Sequence, residues 1–442
     1  MHSTFSALFS LVAVSLVLLT GCDRGKTPTA KHPEAPTARP IALTFWHIMN
    51  YSGPREVLAS AIQRFEAENP DTTVTIQTFK NDAYKTKLAI EMASGTPPDV
   101  LFTWGGGPLA EYARAGRVLD LTPHVEKDGW RQRFIDKALA ICMADERVYA
   151  VPLDLSAVVL WHNRELFEQA GVTPPATLED LLAVGKVFRE RDTTPMSLGN
   201  LNQWPGAFHF VYLATRRGGA QLFLDAAGGK GSARFDNPAF AQAGSDVRRL
   251  VDAKMFPLGF NGIDAGSART KFLSGKAAMY TMGTWLVARV VAENPEFMSK
   301  LDCVPYPAVS GGKGDPSTVV GGVNCGFAVS AGCKHPEKAV ELLRYLTAPE
   351  VASEWCDIGR IPALQVTAED EAKLPAPTRK ALSLLKAAKR IQPYYDQYLP
   401  PRMAVEHKKT TQKLFAGTMT GEEAAKRMAE SAAKRAAQAR GD

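Results

Sequence analysis

The 442-residue chain lacks the signatures of the common catalytic folds. It has no HExxH, no GxSxG and no dinucleotide-binding glycine fingerprint. Gly25-Lys26-Thr27 is not a phosphate loop, because that pattern needs a glycine where Thr20 stands. No CxxC pair or Cys/His cluster suggests a metal site, and the eight histidines are scattered. No catalytic residue, metal or cofactor is expected. There is no internal repeat. The uncharged run at residues 5–20 holds sixteen residues, short of the ~20 that span a bilayer. Nor is there a domain-wide charge of one sign. The net charge is +6, and residues 373–442 hold 15 Lys/Arg against 6 Asp/Glu, leaving 37 against 40 elsewhere. A nucleic-acid binder spreads basic residues over a domain and interleaves aromatics, so no nucleic-acid partner is expected.

The chain does have the composition of a soluble globular protein, 45% apolar and 22% charged, with length for two large lobes. Ile41–Trp46, Thr73–Phe79 and Asp99–Trp104 read as strands. Residues 54–68 and 82–94, between them, read as helices, with apolar residues at helical spacing in the first. That alternation argues for a parallel α/β sheet. Strands are expected again at Ala157–His162, Lys276–Met282, Cys303–Tyr306 and Gly326–Ser330. Helices are expected over 178–191, 205–216, 237–253, 284–293, 336–347, 376–390, 404–416 and 421–439. The last, rich in alanine and charge, reads as a solvated surface helix. Val151–Leu153, Pro305–Pro316 and Gly359–Pro362 are candidate crossings between lobes. Ligands of open α/β sheets sit at the carboxyl ends of strands.

Residues 5–20, FSALFSLVAVSLVLLT, suit a signal-peptide core. Leu19-Thr20-Gly21-Cys22 follows and resembles the lipobox of bacterial lipoproteins, which implies lipidation at Cys22. Residues 1–22 are then a lipoprotein signal, and residues 23–40, rich in proline, a tether. Five cysteines remain: Cys142, Cys303, Cys325, Cys333 and Cys356. The odd count leaves at least one thiol free unless chains pair. Cys325 and Cys333 flank a strand and lie too far apart to bridge each other.

Tryptophans cluster at expected strand ends. Trp104 runs into Gly105, Gly106 and Gly107; Trp204 follows Asn202-Gln203; Trp285 follows Gly283-Thr284. Trp46-His47 ends the first strand. An indole supplies a rigid apolar face for the C–H face of a sugar, and neighbouring polar groups bond its hydroxyls. Singly, each tryptophan also fits a core. Together, at strand ends beside glycine or polar residues, they point to a site.

Phe272-Leu273-Ser274-Gly275-Lys276-Ala277-Ala278-Met279, then Gly283-Thr284-Trp285, resembles a block of the extracellular solute-binding proteins of ABC sugar transporters. Ser94-Gly95-Thr96-Pro97-Pro98-Asp99-Val100, Val151–Gly171 and His335–Glu350 resemble further segments of that family, in the family's order. The resemblance runs from about residue 41 to the C-terminus. It implies an α/β two-lobed periplasmic-binding-protein fold with a multi-segment hinge and a cleft between lobes. Residues 41–152 plus about 317–358 would form one lobe, and 153–316 plus about 359–442 the other. It implies a monomeric, exported, lipid-anchored receptor that hands a sugar, a short oligosaccharide, to an ABC permease and does no covalent chemistry. The ligand contacts it implies are His47, Asn50, Trp104, Gly105, Gly106, Asp154, Asn202, Trp204, Gly283, Trp285, Arg360, Tyr395 and Asp396. Two alternatives remain: a sugar phosphate or glycerol phosphodiester ligand, or an exported glycan-acting enzyme.

Overall fold

The computed structural model describes residues 40–440. The anchor expected at Cys22 and its tether lie outside the described residues. One ten-stranded mixed sheet runs through the molecule. Its main strands are β1 (Ile41–His47), β2 (Thr72–Thr78), β3 (Val100–Thr103), β4 (Val151–Asn163), β5 (Thr194–Ser197), β6 (Ala277–Gly283) and β7 (Val319–Val329). Their order is β2-β1-β3-β7-β4-β6-β5.

The first three strands are parallel, as the alternating pattern predicts. The centre is not: β7 runs antiparallel to β3 and β4, and β4 antiparallel to β6. Helices on both faces bury the middle strands, so β4 and β7 read as nearly continuous apolar runs. That continuity hid their length, since β4 begins six residues before the expected strand and β7 seven.

Two hydrophobic cores flank the sheet's centre. Leu43, Phe45, Leu58, Phe65, Leu101, Trp130 and Trp355 belong to the first. Trp161, Leu181, Tyr212, Val247, Phe272, Val287 and Leu414 belong to the second. The handover falls inside strands. On β4, Val151 and Leu153 face the first core, and Ala157–Trp161 the second. On β7, Val319 and Val320 face the second, and Val323–Val329 include four buried members of the first besides Val323 itself, among them Phe327. The β4–β7 register shifts on both sides of Cys325, a bulge where the chain passes between cores. The Pro305–Pro316 stretch packs on the second core through Tyr306 and Val309.

The last helix, Gly421–Arg440, is not only a solvated surface element: Ala424, Ala425 and Met428 are buried in the second core. Among the described residues all five cysteines carry free thiols, four of them buried and Cys333 partly exposed.

Candidate ligand-binding cleft

A cavity of about 750 Å³ opens between the two cores. Segments that follow strands build it. Asn50 and Tyr51 follow β1, Trp104 follows β3, and Trp285 opens the helix Trp285–Glu293 just past β6. Trp204 opens the helix Trp204–Gly218. That helix start is fixed by Asn200, whose Oδ1 accepts the Gly206 N–H at 3.1 Å.

The second core supplies an aromatic wall. The Trp204 and Trp285 rings lie 6.2 Å apart at 64°, a corner rather than a sandwich. Phe208 packs on both, at 5.5 and 6.0 Å, and reaches Tyr394 at 5.7 Å. Trp104 comes from the first core, held edge-on by Phe102 at 4.7 Å and Tyr84 at 6.0 Å. The Lys85 ammonium sits 4.5 Å from its ring centre.

The polar groups of the cleft largely pair with one another. Lys85 faces Asp396 at 3.9 Å. Arg269 and Arg289 share Glu293, at 2.7 and 3.1 Å. Arg360 pairs with the buried Asp154. Asp264 caps a helix through the Gly266 and Ser267 N–H groups, and these bonds hold its carboxyl below the usual range. Three contacts bridge the two sides directly. Asp82 accepts from the Asn202 amide, Lys85 meets Asp396, and the Arg289 guanidinium lies 3.4 Å from the Tyr51 ring centre.

Of the expected contacts, Asn50, Trp104, Asn202, Trp204, Trp285, Arg360 and Asp396 converge on this cavity. The others do not line it. His47 is buried, its Nδ1 accepts the Met49 N–H at 3.1 Å, and burial pushes its imidazole down to about 4. It shapes the turn after β1. Asp154 is 1% exposed and lies behind Arg360. Tyr395 stacks on Phe223 at 3.5 Å within the second core, and its neighbour Tyr394 faces the cleft instead.

The glycines act by what they leave out. A Cβ on Gly283 would lie 2.0 Å from the Trp285 ring, so glycine makes room for the indole to fold back. Gly105 and Gly106 have positive φ, and a Cβ would meet the Ile141 and Gln397 carbonyls at 2.6 and 2.3 Å. They let two segments approach behind Trp104.

Tyr51, Lys85, Phe208, Arg289 and Asn324 line the cleft without having been expected there. Lys85 and Arg289 carry no local mark, because each reaches the cavity from the middle of an ordinary helix. Tyr51 could have been found, since it adjoins Asn50 in the loop after β1.

Residues 52–353 match the bacterial extracellular solute-binding protein family. The multiple sugar-binding protein of Streptococcus mutans is 21% identical over 82% of this chain and 83% of its own length. The melibiose/raffinose/stachyose-binding protein MelE of Bacillus subtilis is 22% identical over 82% and 81%. A solved structure from work on xylan utilisation by Caldanaerobius polysaccharolyticus superposes with a TM-score of 0.84. It is 32% identical and covers 88% of this chain and 100% of its own. With the family match extending over most of the chain and a two-sided cleft closing on an aromatic wall, this chain belongs to the bacterial extracellular solute-binding proteins.

Proposed function

We propose that this protein captures a neutral sugar, a short oligosaccharide, between two lobes and delivers it to an ABC permease. One observation carries the reading. Indoles from both cores face one cavity whose charged side chains are mostly compensated by partners. Stacked rings suit the apolar faces of sugars, and paired charges present hydrogen-bond donors and acceptors without a strong field of one sign. The corner of Trp204 and Trp285 suits one pyranose, and Trp104 opposite suits a second unit. The sugars in the relatives' names are consistent with this ligand class.

The lobes would correspond to the two cores, about 41–153 with 323–364, and about 157–320 with 381–428. They would bend where β4 and β7 pass between cores. A ligand touching both sides stabilises the closed form, because only that form offers all its contacts. The contact residues would be Asn50, Trp104, Asn202, Trp204, Trp285, Arg360 and Asp396, joined by Tyr51, Phe208, Arg289, Asn324 and Tyr394.

Export and anchoring belong to the same reading. The run at 5–20, ending at Cys22, suits a signal sequence with a lipid-modified cysteine, and residues 23–40 would tether a monomeric receptor to the membrane. In cell fractionation, Cys22→Ser is expected to move the protein from membrane to soluble fraction; unchanged membrane association contradicts the anchor.

Calorimetric titration of the mature chain with raffinose, stachyose, xylotriose and chitotriose tests the function. Saturable binding of one of them, recovered uncut, is the expected result. Binding of glycerol 3-phosphate with none of the sugars bound would instead favour a phosphate-bearing ligand.

A further inference from the structure

Beneath the cleft floor lies a buried ion pair that ligand contact alone does not explain. Asp154 and Arg360 are 1% and 2% exposed. Arg360 nevertheless reaches the cavity, and its Nε has no partner in the protein. Its Nη1 donates to the Tyr51 hydroxyl at 3.2 Å, and its guanidinium pairs with Asp154. The same carboxylate accepts from the Asn324 amide at 3.4 Å, and Asn324 also lines the cavity. In the sheet, Asp154 stands opposite Cys325, at the bulge, and opposite Pro362. One carboxylate thus reaches two cleft donors, on separate segments, where the chain passes between cores.

We infer that Asp154 is a positioning residue: it orients the Arg360 and Asn324 donors and neutralises the guanidinium, so that the floor selects uncharged hydroxyls over anionic groups. This rests on the sugar-binding reading above. A buried Arg without a counter-charge costs far more than a paired one. A compensated guanidinium offers N–H groups with little net charge behind them. An anionic ligand would gain little, because its attraction to Arg360 is offset by Asp154 a few ångströms beyond. Burial pushes the Asp154 carboxyl up to about 6, while the Arg360 guanidinium beside it pulls the other way.

The test uses the mature chain, with raffinose, xylotriose and chitotriose as neutral probes and trigalacturonate as the anionic one. Affinities are measured at pH 7.5 for wild type, for Asp154→Asn and for the double variant Asp154→Leu/Arg360→Met. Wild type is expected to prefer a neutral probe. Asp154→Asn is expected to bind that probe tenfold or more weakly and to gain on trigalacturonate, so that the neutral-over-anionic ratio falls. A purely structural role would not change that ratio. The double variant removes both charges, keeps its melting temperature within a few degrees of wild type, and loses tenfold or more in neutral-probe affinity. An unchanged affinity in either variant overturns the inference, as does a loss in Asp154→Asn with the ratio kept. If Asp154→Asn does not fold, Asp154→Glu decides: it keeps the charge and moves the carboxylate, and an unchanged neutral-probe affinity, at a melting temperature within a few degrees of wild type, overturns the inference. A wild type that binds no neutral probe overturns the sugar reading itself, a failure distinct from that of the positioning role.

Discussion

The indoles of Trp204 and Trp285 meet edge to face, so each leaves part of its surface for a ligand while bracing the other. Truncating either removes a stacking face and its brace. Trp285→Ala is expected to lower sugar affinity at least tenfold, about 1.4 kcal/mol, with little change in melting temperature; calorimetry and thermal unfolding separate the two effects. Four buried histidines make a second prediction. Burial pushes His47, His162 and His407 down to about 4 and His209 to about 3. Three of them also leave a ring nitrogen without a partner: His162, His209 and His407. The unfolded chain, with imidazoles near 6.5, binds more protons than the folded one between about 6.5 and 4. The stability these groups give is therefore full above pH 6.5 and lost as pH falls toward 4. Each histidine loses at most about 1.4 kcal/mol per pH unit. Asp154 acts in the opposite sense, since its raised carboxyl favours the folded state below about pH 6. Four groups against one, the melting temperature is expected to drop steeply between pH 6.5 and 4.5; a flat profile there would contradict neutral buried imidazoles.

Elements that end at the cleft were legible where their ends carry a residue with few other uses. Trp104 after β3 and Trp285 after β6 could be read because an indole beside glycine at a strand end is an unusual combination. The central strands could not be read in full. β4 and β7 are buried on both faces, so no alternation marks their ends, and their antiparallel pairing depends on contacts between distant segments. The family resemblance places Asp154 among the ligand contacts; the fold turns it inward to Arg360 instead. Tyr395 and its neighbour Tyr394 could not be told apart, since the turn of a short helix decides which faces the cavity. The resemblance places Gly283 among the contacts; in the structure it does not line the cavity, and a Cβ there would meet the Trp285 ring. Gly283→Ala is therefore expected to displace that indole and weaken sugar binding about as much as Trp285→Ala. Titration of the two variants side by side checks this, and full affinity in Gly283→Ala would show that the ring can be placed without it.

The whole molecule depends on two cores sharing one sheet. Because the handover lies within β4 and β7, the proposed bending would change the twist of paired strands rather than the course of a free linker. The contacts Asp82–Asn202, Lys85–Asp396 and Tyr51–Arg289 join the two sides without a ligand. They would lower the cost of closing. Asp82→Ala is expected to raise the radius of gyration of the ligand-free protein in small-angle scattering and to weaken sugar binding severalfold, since the ligand must then supply more of the closing energy. No change in either quantity would mean that the contact follows closure without driving it. The central claim, a neutral sugar held between two lobes, is tested most directly by titrating the mature chain with neutral oligosaccharides while following small-angle scattering. Saturable binding of one of them, with the molecule becoming or staying compact at saturation, is the predicted result; no binding of any sugar, alongside tight binding of glycerol 3-phosphate, would contradict it.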